Sequence, residues 1–183
     1  RCHYEDFKAF VKTQGEHISR VVYTQTPDRL FLKNYLDLDK ASSNDLSIVP
    51  VEEVVEYLTL LKSQYGVPVM MIGMLPPITE DPINWDYQRP FSQQFDELVS
   101  DNVVTLTKLV DSVFKERLTP HNIPYIEKFD SFNLSLPDDL IIDGEITYAD
   151  RRHVSYKGEK FFGKQLITTL QLSGFKEFGM PTR

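Results

Sequence analysis

Three short apolar runs, each beside a stretch of helical spacing, organise this chain. The first is Val21-Val22-Tyr23. Before it, Phe7, Phe10, Val11 and Ile18 follow one another at intervals of three, one and seven, which places them on one face of a helix. Gly15 weakens that segment as a helix. The second run, Val67-Pro68-Val69-Met70-Met71-Ile72-Gly73-Met74-Leu75, is apolar throughout, the pattern of a strand covered on both faces. It follows a helix carrying Val51, Val54, Val55, Leu58 and Leu61, with Pro50 at its entrance and Gly66 just past its end. Pro68 then falls at the strand's first residues, where a missing N–H is tolerated.

Pro76-Pro77 opens a polar stretch to Ser92 that contains Trp85 and Pro90 and predicts a long loop, of the kind that is often functional or mobile in a compact domain. The stripe Phe95, Leu98, Val99, Val103, Leu106, Val110, Val113 and Phe114 predicts one long helix, ending near Leu118 before Pro120. Ile123-Pro124-Tyr125-Ile126 is the third strand. Strands alternating with helices of this length predict a parallel sheet with right-handed crossovers. The last third differs. Leu140-Ile141-Ile142 and Glu145-Ile146-Thr147-Tyr148 flank Asp143-Gly144, a strong hairpin signal, and a helix follows from about Lys157 to Leu170, with Ser155 as a reasonable N-cap. In a parallel α/β sheet chemistry gathers at the carboxyl ends of the strands, and a loop leading into the final helix can reach that edge. There is no internal repeat and no low-complexity tract.

Composition narrows the class. The chain has 183 residues, 41% hydrophobic and 26% charged, which suits one globular domain with a real core. Its 20 Lys+Arg against 27 Asp+Glu give a net charge of −7, which counts against a general nucleic-acid binder and against adhesion to anionic membranes. No run of about 18 apolar residues is present to span a bilayer. The first residues are too polar for a signal peptide, and a chain beginning with Arg rather than Met suggests a piece processed or excised from something longer. Cys2 is the only cysteine, which excludes an internal disulfide and any multi-cysteine metal site; in an oxidising compartment its partner is expected outside this chain.

Asp150 and His153 are the pair with chemical promise. Three residues apart in a turn or the first turn of a helix, a carboxylate can accept the imidazole Nδ1–H, fix the tautomer and leave Nε2 open to take a proton from a nucleophile. The same spacing also serves a plain contact at the start of a helix. His3, His17 and His121 stand apart without metal-ligand spacing, and no metal site is expected. Trp85 with Tyr87, Phe91 and Phe95 can form either a sugar-stacking surface or a packing cluster over the sheet edge. Arg151 and Arg152 can hold an anionic group near such a site or simply be solvated. Asn133-Leu134-Ser135 fits a glycosylation sequon, and Glu52, Glu53 and Glu56 read as a solvated helix face.

The segment from Asp143 to Gly158 resembles the closing block of SGNH (GDSL-type) hydrolases. It is most similar to the SGNH domains attached to membrane acyltransferases that O-acetylate bacterial O-antigen or peptidoglycan: a hairpin followed by Tyr148, Asp150, His153, Val154, Ser155 and Gly158 in the family's order and spacing. The strands at Val21, Val69 and Ile123 resemble the family loosely but in sequence. The resemblance implies a three-layer α/β/α domain with a flavodoxin-like parallel sheet, spanning residues 1–183 as a single domain that is incomplete at its N-terminus. It implies that His153 is the catalytic base and Asp150 its orienting acid, with Trp85, Arg151 and Arg152 as substrate-binding candidates.

One departure is large. The family's nucleophile is the serine of a Gly-Asp-Ser block ending the first strand, and neither this block nor a matching Gly-x-Asn is present. The preferred expectation is that the nucleophile strand lies upstream of Arg1; the alternative is a relative that binds a glycan without catalysing. Loss of a normally central strand is expected to split the sheet and expose strand edges. The resulting expectation is a carbohydrate O-acetyltransferase or acetylesterase domain, periplasmic or otherwise extracytoplasmic and tethered to the inner membrane by a preceding region. It would need no metal or organic cofactor, would take its acetyl donor from a membrane acyltransferase domain of the same longer protein, and would act on a polysaccharide acceptor, not nucleic acid.

Overall fold

A computed structural model describes residues 4–25, 30–31, 38–90, 93–136 and 138–172. Cys2, His3 and Phe91 lie outside the described residues. The fold is mixed α/β, built on a three-stranded parallel sheet, and is compatible with a three-layer α/β/α arrangement lacking its first strand. The chain divides into two compact units, one formed by residues up to Met74 with Thr105–Glu127, the other by Leu75–Val104 with the residues from Lys128 onward.

The first unit holds the sheet. Helix α1 (Tyr4–Gln14) tightens into a 3-10 turn at Gly15–His17, where the glycine lowers helical preference, and leads to β1 (Val21–Tyr23). Helix α2 (Ile48–Tyr65) carries Pro50 in its first turn, where the missing N–H has no helical partner to lose. It stops at Gly66, whose φ of 67° lets the Val67 N–H turn back to the Leu61 carbonyl at 3.3 Å. Strand β2 (Val69–Ile72) is buried at all four positions, as its uninterrupted apolar run predicts for a central strand. It pairs in parallel with β1, Val21 opposite Val69, and with β3 (Tyr125–Ile126), Met71 opposite Tyr125. The sheet is therefore not split. A further strand cannot lie between β1 and β2 without breaking this register.

At the end of β2 the backbone passes a buried polar cluster. Asp111 accepts the Tyr125 hydroxyl at 2.5 Å and the Met74 N–H at 3.4 Å. Burial, with the Asp111 charge beside it, pushes the Tyr125 phenol well above its usual range. A Cβ on Gly73 would lie 2.7 Å from Asp111 Oδ1 and 3.1 Å from the Ile126 carbonyl, so this position has room only for glycine.

The predicted long helix is two: a short α3 (Phe95–Leu98) and then α4 (Asp101–Leu118). The cause is Thr79, whose N–H takes the Leu98 carbonyl at 2.9 Å while its hydroxyl takes the Glu97 carbonyl at 2.5 Å. Those carbonyls are the acceptors that residues 101 and 102 would need to continue the helix. α4 buries Leu106, Val110, Phe114 and Leu118 in the first unit.

The second unit is assembled around Ile78, Trp85, Leu98, Val99, Leu140 and Tyr148. The expected loop after Pro76 contains only a 3-10 turn at Pro82–Asn84 among its described residues. It is stitched by the buried Gln94, whose amide donates to the Asp86 and Arg89 carbonyls at 2.8 and 2.9 Å and accepts the Asp86 N–H at 3.2 Å. After α5 (Lys128–Ser131) comes the hairpin of β4 (Ile141–Ile142) and β5 (Glu145–Ile146). Its turn residues Asp143 and Gly144 both have positive φ, 52° and 79°, as the Asp-Gly signal requires. Helix α6 (Tyr156–Leu172) closes the described chain.

Candidate active site

Residues 148–155 fold as a turn between the hairpin and α6, whose first residues complete the sequence block as far as Gly158, and each position of that block has a local reason. Tyr148 and Val154 form an antiparallel bridge across the turn, closed by the Ala149 N–H on the His153 carbonyl at 2.7 Å. The Tyr148 ring is fully buried and its hydroxyl donates to the Pro76 carbonyl at 2.9 Å; burial raises the phenol above its usual range, so it stays a donor. Ser155 caps α6, its Oγ accepting the Gly158 N–H at 3.1 Å while donating to the Ile146 carbonyl at 2.5 Å. Gly158 lets α6 press against the hairpin, since a Cβ there would fall 2.0 Å from the Thr147 carbonyl oxygen.

Within that scaffold, His153 Nδ1 meets Asp150 Oδ2 at 2.7 Å. The other carboxylate oxygen, Oδ1, accepts the backbone N–H of Arg152 and of His153, both at 2.8 Å. Burial alone would raise the Asp150 carboxyl. The Arg152 N–H, the two contacts from His153 and the imidazole's charge outweigh it, and hold the group below the usual carboxylate range. An ionised carboxylate on Nδ1 selects the tautomer with the proton on that nitrogen. No hydrogen bond engages Nε2 among the described residues, and the His153 side chain is 74% exposed, with Asp150 at 49%. The pair can therefore accept a proton at Nε2 and stabilise the resulting imidazolium.

The remaining site candidates are placed differently. Trp85 is 5% exposed, packed in the core of the second unit with its indole N–H on the Glu80 carbonyl at 3.2 Å. Of its two readings the structure favours the packing cluster: no open ring face is left for a sugar. Among the described residues of that loop, Tyr87 is an exposed ring, tied by its hydroxyl to the Pro82 carbonyl. Arg151 is half-buried and holds the loop at 78–81, through its N–H to Asp81 Oδ1 at 2.8 Å, its Nε to the Ile78 carbonyl at 3.2 Å, and its carbonyl to the Ile78 N–H at 2.9 Å. Arg152 is likewise half-buried and interacts within the protein. Sequence reasoning missed Asp81 and the Tyr148 anchor, because their partners lie about 70 residues away. Among the described residues no three His, Cys, Asp or Glu side chains are grouped to hold a metal ion, and no helix is long and apolar enough to cross a membrane.

No family model matches the chain, and comparison with curated proteins gives no match either.

Proposed function

We propose that this chain is the later part of an SGNH-type domain that transfers or hydrolyses acetyl groups on a carbohydrate, with His153 as general base, Asp150 as its orienting acid, and the nucleophilic serine supplied by a segment outside this sequence. The observation that supports the reading is the 2.7 Å contact of His153 Nδ1 with a carboxylate held below its usual range, on an imidazole side chain that is largely exposed. In the reaction, the serine hydroxyl attacks the acetyl carbonyl and gives its proton to Nε2. The tetrahedral intermediate collapses, and the imidazolium returns that proton to the leaving group. Nε2 then takes the proton of a sugar hydroxyl or of water as its oxygen attacks the acyl-serine, and the imidazolium returns that proton to the departing serine oxygen, restoring the free serine and the neutral base. The chemistry calls for no metal or organic cofactor. The acetyl donor would come from a membrane acyltransferase domain of the same longer protein, on the extracytoplasmic side, and the acceptor would be a polysaccharide.

The test is hydrolysis of p-nitrophenyl acetate by a chain extended to include the serine segment. His153→Ala is expected to lower kcat by a factor of about 10³ or more, with Asp150→Ala also slow. Unchanged rates in both variants would sink the assignment. One observation favours a second reading, a non-catalytic interaction domain of the same fold: β1 and β2 pair directly, where a central nucleophile strand would belong. That reading expects saturable glycan binding with no turnover in the extended chain.

A further inference from the structure

We propose that Asp81 is a positioning residue for the Asp150–His153 pair, acting through the backbone of Arg151. The inference rests on reading that pair as an acid–base dyad. An exposed carboxylate–imidazole contact holds its partners only weakly, so the turn that presents it must be fixed by its backbone. Arg151 lies between the two dyad residues, and its N–H donates to Asp81 Oδ1 at 2.8 Å. A hydrogen bond to an ionised carboxylate is about twice as strong as a neutral one.

Asp81 itself stands at the start of the 3-10 turn Pro82–Asn84, where an aspartate ordinarily accepts an N–H of its own turn. It makes no such cap. Among the described residues, its carboxylate bonds only the Arg151 N–H, 70 residues away. With Ile78 bonded to both the carbonyl and Nε of Arg151, residue 151 is pinned on three sides. Fixing it sets the direction of the Asp150 side chain and of the N–H groups at 152 and 153. Asp150 Oδ1 gathers those two N–H groups and leaves Oδ2 for the imidazole.

The test reads the imidazole directly and needs no turnover. In the ¹⁵N-labelled 183-residue chain, two-bond ¹H–¹⁵N correlations report which nitrogen of His153 carries the proton, with His153→Gln separating its signals from the other three histidines. The wild type is expected to hold the proton on Nδ1. Asp81→Ala is expected to lose that preference towards the Nε2–H form that free histidine favours. Asp81→Asn, whose amide oxygen can still accept from Arg151, is expected to keep it. An Nδ1–H population unchanged in Asp81→Ala would overturn the positioning role while leaving the dyad intact; a wild type with its proton on Nε2 would overturn the dyad reading itself. Should Asp81→Ala fail to fold, amide exchange in the wild type decides: the Arg151 amide is expected to be protected, and exchange at the rate of an open loop amide would overturn the proposal.

Discussion

Replacing Gly158 by alanine tests how the candidate site is built. The new Cβ would lie 2.0 Å from the Thr147 carbonyl oxygen, 2.9 Å from its carbon and 3.1 Å from Val154 Cβ. Ordinary C···O approach begins near 3.3 Å, so α6 and the hairpin would have to part by roughly 1.3 Å, and both obstacles at Thr147 are backbone. That movement strains the 2.8 Å bond from the Ser155 N–H to the Thr147 carbonyl, worth about 1 kcal/mol, and the Ser155 cap, worth about as much again. Overpacking adds about 1–3 kcal/mol, and alanine's better helix propensity returns about 1 kcal/mol. The expected loss is about 2–4 kcal/mol.

Gly163, in the same helix, is the control. Nothing lies within 4 Å of a Cβ there, so Gly163→Ala should gain up to about 1 kcal/mol. Urea denaturation followed by the fluorescence of the single tryptophan, Trp85, reads both variants, and it does so from within the unit that contains α6. A Gly158→Ala chain as stable as the wild type, or stabilised in step with Gly163→Ala, would refute the close approach of α6 to Thr147.

Two other outcomes follow from the same unit. Trp85→Ala should cost about 3–5 kcal/mol, read by circular dichroism during denaturation, because it empties a core position; little change in stability would mean the indole is not packed as described. The Asp150 carboxyl lies lower in the folded chain than in the unfolded one, so the unfolded state binds more protons in that interval. The stability it contributes is present above the usual carboxylate range and is lost as pH falls through its lower folded value. Asp150→Asn should flatten that part of the stability profile, and an identical profile would contradict the depression.

Much of this was legible locally because the causes are local. The Asp-Gly turn needs positive φ at two adjacent positions, the end of α2 needs it at Gly66, and the apolar run of β2 needs cover on both faces. The Asp150–His153 contact is of the same kind, three residues in one turn. What could not be read were contacts whose partners are distant in sequence. The stripe from Phe95 to Phe114 is continuous, yet Thr79 removes two carbonyls from it and the helix breaks. Trp85 amid polar neighbours reads as a packing residue before it reads as a sugar platform, and its packing with Leu98, Leu140 and Tyr148 is what decides.

The sequence by itself determined the α/β alternation, the hairpin, the α6 cap and the chemical identity of the candidate dyad, since each depends on periodicity or on residues within one turn. Tertiary structure alone decided that Tyr148 and Arg151 hold the loop that follows Pro76, that Asp81 reaches the dyad's turn, and that β1 lies directly against β2. The physical reason is that hydrogen bonds and packing across some 50 to 70 residues leave no periodic trace along the chain. They depend on which backbone groups the folded chain brings together.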